Sequence, residues 1–293
     1  MQNIQLLDGG TGQELLRHAE AAPTPLWSAQ VMIDQPDLVR QVHRSYIAAG
    51  ADIITVNAYS ATRCRLGPAG LEHEYERLQL LACTIANEAR DGADVLIAGC
   101  LSPYGWTYRP ALAPPFDDLL PLYAETAALQ APYVDVILCE TMGSIDEARA
   151  AVAGATATGK PVWVSWSLRD DGDARLRSGE PLTEAISAIA GTGAEAVLVN
   201  CSVPETISAA MPVLATAPTR FGAYANGFTH IADEFVPGTV TTLLGGRHDL
   251  SPIDYADIVM GWIDQGATIV GGCCDIGPEH IGELSQRLTA RVS

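Results

Sequence analysis

Two adjacent cysteines, Cys273-Cys274, close the segment IVGGCC at 269–274, and a third, Cys201, closes AVLVNC at 196–201. Sulfur is a soft donor. Three thiolates gathered at one point make a negatively charged site suited to tetrahedral Zn²⁺, with a fourth position open to water or a substrate atom. Free cysteine is equally a small, commonly buried hydrophobe, so residue type alone leaves packing and ligation both open. The spacing is not that of a zinc finger or ribbon, so the fold itself has to bring the three together. Asp8 and Glu140 pose a parallel question. Each ends an apolar run, IQLLD at 4–8 and DVILCE at 135–140, where a carboxylate without a partner is costly to desolvate. A helix cap, an ion pair or a cationic ligand would each answer it.

The apolar runs that carry these residues recur along the chain, at 4–8, 52–57, 95–100, 135–140, 161–166, 196–201, 221–226 and 268–273. Each has the length of a buried strand and is rich in Val and Ile. Segments with helical spacing alternate with them, at 38–49, 72–91, 117–131, 145–157, 181–190, 204–215, 254–265 and 278–291. Ser144 is a cap candidate, and Pro204, Pro252 and Pro278 stand near helix starts, where a missing N–H costs least. This alternation predicts an α/β fold, a single (β/α)₈ TIM-type barrel over 1–293. An open doubly wound sheet is the competitor, but Gly9-Gly10-Thr11-Gly12 lacks the spacing of a dinucleotide fingerprint.

In such a barrel the residues just past each strand converge on one rim, where active sites lie. In order they are Asp8, Asn57, Cys100, Glu140, Trp166, Cys201, Asn226 and Cys273 with Cys274. The three thiols can therefore meet across the rim, with Gly271 and Gly272 expected to relax the backbone so that both adjacent sulfurs face one ion. Cys100 is the candidate fourth ligand if the site is closed. Cys64, Cys83 and Cys139 are expected to be structural, Cys139 because it should face the other side of its strand from Glu140. The long loops at 9–33, 101–116, 167–180 and 226–253 all follow strands and crowd the same rim, and none of the six histidines falls at a predicted strand end.

The chain's 293 residues, 48% hydrophobic, allow a substantial core without disulfide staples. Its net charge of −18 repels nucleic acid and anionic lipid, so neither is an expected partner. The segment MQNIQLLDGG lacks the features of a secretion signal, no apolar stretch reaches membrane-spanning length, and seven cysteines are an odd count. A cytoplasmic protein with reduced thiols is the expectation.

LLDGGTG at 6–12, PLWSA at 25–29, NAYSAT at 57–62, PYG at 103–105, CET at 139–141, VNCS at 199–202 and GGCC at 271–274, in that order, resemble the homocysteine S-methyltransferase family, its standalone members above all. The resemblance spans essentially the whole chain. It implies a barrel holding Zn²⁺ through Cys201, Cys273 and Cys274, with the sulfur of homocysteine taking the open position. It further implies methyl transfer from a sulfonium donor, S-methylmethionine or S-adenosylmethionine, to give methionine; a sulfonium leaves as a neutral thioether, so no acid is needed to protonate it. Asp8 and Glu140 match positions that hold the α-ammonium. Amides of Gly9, Gly10 and Thr11 are candidates for a nest around the α-carboxylate, against the simpler reading of a tight turn. Asn57 and Asn200 are candidates for orienting substrate or ligands, or serve as caps. Trp27, Tyr104, Trp106 and Tyr108 are candidates to face the sulfonium with their rings, Trp27 foremost because it matches the family's PLW segment. One departure stands out: where the family follows GGCC with a basic residue, this chain has Asp275-Ile276-Gly277, reversing a charge beside the metal site. Two alternatives remain, a related zinc barrel acting on another thiol or selenol, and a non-catalytic zinc-binding barrel.

Overall fold

A computed structural model describes residues 3–231, 235–241 and 244–292. In chain order the strands and helices are β1 (Gln5–Leu6), α1 (Thr11–His18), α2 (Ser28–Asp34), α3 (Pro36–Ala48), β2 (Ile53–Thr55), α4 (Arg63–Leu66), α5 (Tyr75–Arg90) and β3 (Leu96–Leu101). They continue with α6 (Phe116–Gln130), β4 (Val136–Met142), α7 (Ile145–Thr156), β5 (Val162–Trp166), α8 (Leu182–Ile189) and β6 (Ala196–Asn200). The last are α9 (Pro204–Leu214), β7 (Arg220–Ala225), α10 (Pro252–Asp264), β8 (Ile269–Gly272) and α11 (Pro278–Val292).

Every strand pairs in parallel with its neighbour in sequence from β2 to β8, and β8 pairs with β1. The ring closes between β1 and β2, where Asp8 N donates to Ile53 O at 2.9 Å and Asp52 N to Leu6 O at 2.8 Å. That closure excludes the doubly wound sheet, which has two open edges. The helix starts follow the sequence signals. Ser144 Oγ accepts from Glu147 N at 3.2 Å, and Pro204, Pro252 and Pro278 open α9, α10 and α11.

The 9–33 stretch differs from expectation: it contains α1 and α2 rather than irregular loop. Helices of eight and seven residues are too short to stand on their own hydrogen bonds and too short for periodicity to stand out. Contacts with one another and with α3 sustain them, through buried Leu15, Val31 and Met32.

Period-two alternation sorts the strand side chains. Leu7, Ile53, Ala98, Val136, Leu138, Trp163, Ala196, Leu198, Tyr224 and Ile269 fill the barrel interior as one apolar cluster. Cys139, one step from Leu138, belongs instead to the core between strands and helices, as its register predicts. Continuing the inward positions toward the rim gives Cys100, Glu140, Ser165 and Asn200, so the uppermost interior layer is polar. Among the described residues no helix is long and apolar enough to cross a membrane.

Candidate active site

Above that polar layer lies a cavity walled by Asp8, Asn57, Glu140, Tyr224 and the thiols Cys201, Cys273 and Cys274 on the strand side, and by loop residues including Trp27, Tyr59, Arg65, Tyr108, Phe228 and Phe235 opposite. The three sulfurs lie within 4.8 Å of one another. Cys201 Sγ is 3.9 Å from Cys274 Sγ and 2.9 Å from Cys273 Sγ. A tetrahedral ion with metal–sulfur bonds of about 2.3 Å has sulfur–sulfur edges of about 3.8 Å, so one edge already matches and the other reaches it by a small rotation of a thiol. The donor set therefore fits Zn²⁺. Tyr108 OH donates to Cys201 Sγ at 3.1 Å. Hydrogen bonds from the Cys273 and Cys274 thiols, with that of Tyr108, hold Cys201 well below the ordinary thiol value, while donating to Cys201 holds Cys273 and Cys274 above it.

Backbone strain delivers these side chains. Cys201 has φ 50°, which turns its thiol out of the strand direction toward β8, and Asp275 has φ 67° immediately after the cysteine pair. Trp27, Tyr108 and Thr141 are also left-handed, and such strain concentrates at sites whose geometry the surroundings over-determine. Gly271 and Gly272 do not act as the sequence suggested. Neither is left-handed, and both continue β8; a Cβ on Gly271 would lie 2.5 Å from Leu7 Cβ, and one on Gly272 2.3 Å from Ile276 Cγ2. The fold-back of Ile276 onto the end of β8 requires Gly272, and close approach of the ends of β1 and β8 requires Gly271; neither supplies a relaxed backbone. Gly10 serves the same contact, since its Cβ would meet Cys273 O at 2.6 Å.

Asp8 is buried, with Oδ2 accepting from Thr55 N at 2.8 Å and Oδ1 from Thr55 Oγ1 at 3.2 Å. Burial pushes its carboxyl up to about 8, with Glu140 adding to the rise. Glu140 is likewise buried and raised to about 7 by desolvation. Its Oε1 accepts from Cys100 Sγ at 2.9 Å and its Oε2 from Tyr224 OH at 3.5 Å. Neither carboxylate has a cationic side chain within ion-pair distance among the described residues, so a cap or an ion pair does not account for them. Two desolvated carboxylates facing one cavity have the chemistry to receive a ligand cation.

Asn200 does not line the cavity; it works from behind. The ladder between β4 and β5 is irregular between Cys139 and Met142, and bulges of this kind re-aim side chains. Asn200 clasps the irregular stretch, its Oδ1 accepting from Thr141 N at 2.9 Å and its Nδ2 donating to Thr141 Oγ1 at 2.8 Å. The same Nδ2 reaches Cys273 Sγ at 3.8 Å. One amide thus ties the strand end that presents Glu140 to the thiol cluster. Asn57 lines the cavity and donates to Ser28 O at 3.2 Å, fixing the start of α2 beside it.

The three-amide nest is mostly spent inside the protein. Gly10 N donates to Ile276 O and Thr11 N to Gly9 O, each at 2.9 Å. Gly9, Gly10, Thr11 and Gly12 still line the cavity, so the N-terminus of α1, with its partial positive charge, faces the site. Of the four aromatic candidates, Trp27 and Tyr108 line the cavity, and Trp106 sits in the cluster with Phe228 and Phe235. Tyr104 is withdrawn into the core, edge-on to Tyr123 with 5.2 Å between ring centroids. Cys100 is spent on Glu140 and lies outside the thiol cluster. Asp275 does not leave a bare negative charge beside the cysteines: Arg17 of α1 donates to its Oδ1 at 2.6 Å. Among the described residues no histidine lines the cavity.

Sequence reasoning missed Tyr59, Arg65, Thr107, Tyr224, Phe228 and Phe235. Tyr59 lies inside NAYSAT, and Tyr224 is two residues from the end of its predicted strand, on the inward phase, so both carried a readable signal. Arg65 stands on α4, a single turn too short to show a period, and Thr107, Phe228 and Phe235 lie in loops where no periodicity operates.

The model of the family described as homocysteine S-methyltransferase matches residues 5–288. The chain belongs to the homocysteine S-methyltransferase family. Within it, homocysteine S-methyltransferase YbgG of Bacillus subtilis is 29% identical over 302 residues, covering 96% of this chain and 93% of that protein. A selenocysteine Se-methyltransferase of Brassica oleracea var. italica is 27% identical, covering 98% of this chain and 90% of its own. Among solved structures, the metallated form of the Escherichia coli homocysteine methyltransferase MmuM superposes with a TM-score of 0.82 at 26% identity, over 98% of this chain and 96% of that one. The barrel and the family foreseen from the motifs are thus both found.

Proposed function

We propose that this protein is a zinc-dependent methyltransferase that moves a methyl group from a sulfonium donor, S-methylmethionine or S-adenosylmethionine, to homocysteine, giving methionine. The observation that carries the reading is the convergence of three thiols and two cation-free carboxylates on one cavity. Zinc held by Cys201, Cys273 and Cys274 supplies the Lewis acidity that favours the thiolate form of an incoming thiol near neutral pH.

The chain's own residues do the rest. Asp8 and Glu140 hold the α-ammonium of homocysteine, and its positive charge restores the ionised state that burial opposes in both. The N-terminus of α1 faces the α-carboxylate. Thus held, the homocysteine sulfur is aimed at the donor methyl; a sulfur–carbon bond forms as the donor's sulfur–carbon bond breaks, and the donor departs as a neutral thioether. Tyr59, Tyr108 and Phe235 offer π faces to the sulfonium and exclude water from it.

A selenol is the second acceptor to test, favoured by the likeness to the selenocysteine methyltransferase. A non-catalytic closed zinc site finds less support, because its candidate fourth ligand, Cys100, is bonded to Glu140. The test is incubation of zinc-loaded protein with homocysteine or selenocysteine and each sulfonium, with mass detection of methylated product. The reading expects methionine that vanishes on chelation and returns with zinc. Full activity in metal-free protein, or zinc binding with no product from any pairing, contradicts it.

A further inference from the structure

Arg65 is only 9% exposed, yet it lines the cavity. It stands on α4, a single turn, two residues after Arg63. On a helix that spacing sends the two side chains to nearly opposite faces. Arg63 turns outward to Glu125, which its Nη2 meets at 2.6 Å, while Arg65 turns inward. Its guanidinium lies 4.1 Å over the Trp106 ring and 6.0 Å from that of Tyr59, and its Nη2 donates to Thr107 Oγ1 at 2.7 Å. Thr107 Oγ1 in turn shares a hydrogen bond with Tyr59 OH at 3.0 Å. Among the described residues no carboxylate pairs with Arg65, although most of the other arginines hold one.

A buried guanidinium stays charged, and a buried charge without a counter-ion is costly. The aromatic faces and one neutral hydroxyl offset part of that cost and fix the fork in position, with other N–H groups of the guanidinium engaging no described residue. The geometry is that of a carboxylate receptor waiting for its anion. It is built from the loop after β2 and the loop after β3, the same wall that supplies Tyr59 and Tyr108. Asp8, Glu140 and the α1 N-terminus already account for both charged groups of homocysteine. The ligand whose carboxylate is left without a cationic partner is the methyl donor.

We propose that Arg65 binds the carboxylate of the sulfonium donor, so that the site selects sulfonium compounds bearing a carboxylate over those without one. The proposal rests on the donor class given above, and it is tested by binding as well as turnover. S-methylmethionine and its α-carboxamide are titrated calorimetrically into zinc-loaded protein without homocysteine. The unaltered protein should prefer the acid by about ten- to a hundredfold. Arg65→Gln should abolish that preference by weakening the acid alone, Arg65→Lys should restore part of it, and zinc content and homocysteine affinity should stay unchanged. In turnover, KM for S-methylmethionine should rise with little change in kcat. Equal binding of acid and amide to the unaltered protein overturns the proposal, and so does binding of neither. A fall in homocysteine affinity or zinc content in Arg65→Gln, with donor affinity preserved, overturns it by assigning the charge elsewhere. If Arg65→Gln does not fold, the acid and amide comparison on the unaltered protein decides. Acid preference without methyl transfer supports the Arg65 assignment while sinking the proposed reaction.

Discussion

The two walls of the cavity are built by different physics. The strand wall consists of side chains at or just past the ends of β1, β4, β6, β7 and β8, each fixed by a parallel ladder that extends down through the barrel. Its chemistry is charge and coordination: two carboxylates and three thiols. The loop wall consists of Trp27, Tyr59, Arg65, Thr107, Tyr108, Phe228 and Phe235, carried on connections after β1, β2, β3 and β7. Its chemistry is π surface around one buried cation. The contrast suggests a division of labour in which the rigid wall holds metal and acceptor and the loop wall reads the donor. Asn200 and Arg17 mark the join. Asn200 braces Glu140's strand against the thiol cluster from within, and Arg17 reaches from α1 to Asp275 beside the cysteines.

That division can be broken by perturbing each wall in turn. The largest effect is expected from Cys273→Ser, which removes a ligand from the strand wall. Zinc content should fall below stoichiometric and methyl transfer by more than about a hundredfold, since even groups that merely support metal ligands cost ten- to a hundredfold when removed. Glu140→Gln comes next. It leaves the thiols but weakens the ammonium site, so KM for homocysteine should rise about ten- to a hundredfold while KM for the donor changes little. Phe235→Ala, on the loop wall, should show the opposite pattern, with donor KM rising roughly three- to thirtyfold through lost cation–π contact and homocysteine KM held. Equal loss in both constants from either variant would dissolve the distinction between the walls.

The smallest effect concerns stability. Asp8 has its folded value raised to about 8 by burial, from an ordinary carboxyl value of 3.8. Between those limits the folded chain binds more protons than the unfolded one, so this group's contribution to stability declines as pH rises through the window, and below it there is no difference. Asp8→Asn removes the titration. In ligand-free protein it should therefore melt several degrees higher relative to the unaltered chain at pH 8 than at pH 4, by calorimetry at the two values. A constant difference across pH would mean that Asp8 is not desolvated.

The strand wall was the legible one. Parallel strands announce themselves as short apolar runs, and the residue that ends each run lands on the rim by geometry alone, which is why Asp8, Glu140, Cys201, Cys273 and Cys274 emerged from the sequence. The loop wall was not. Tyr108 and Phe235 reach the cavity through connections with no repeating pattern, and Arg65 does so from one helical turn, too short to display a face. Trp27 was found through the family's motif rather than periodicity, and its left-handed φ of 50° is invisible in the letters. Two errors were of mechanism: Gly271 and Gly272 permit close approach rather than relax the backbone, and the amides of Gly10 and Thr11 donate to carbonyls of the protein's own turns. The reversed charge at Asp275 looked consequential because its partner, Arg17, is remote in the chain.

The central claim is that three protein thiols hold a zinc ion and leave one coordination position for the acceptor's sulfur. X-ray absorption at the zinc edge, on stoichiometrically loaded protein before and after addition of homocysteine, tests it without any turnover. The account predicts three sulfurs and one lighter atom at first, and four sulfurs afterwards. Four sulfurs in the absence of homocysteine, or a first coordination sphere unchanged by it, would contradict the claim.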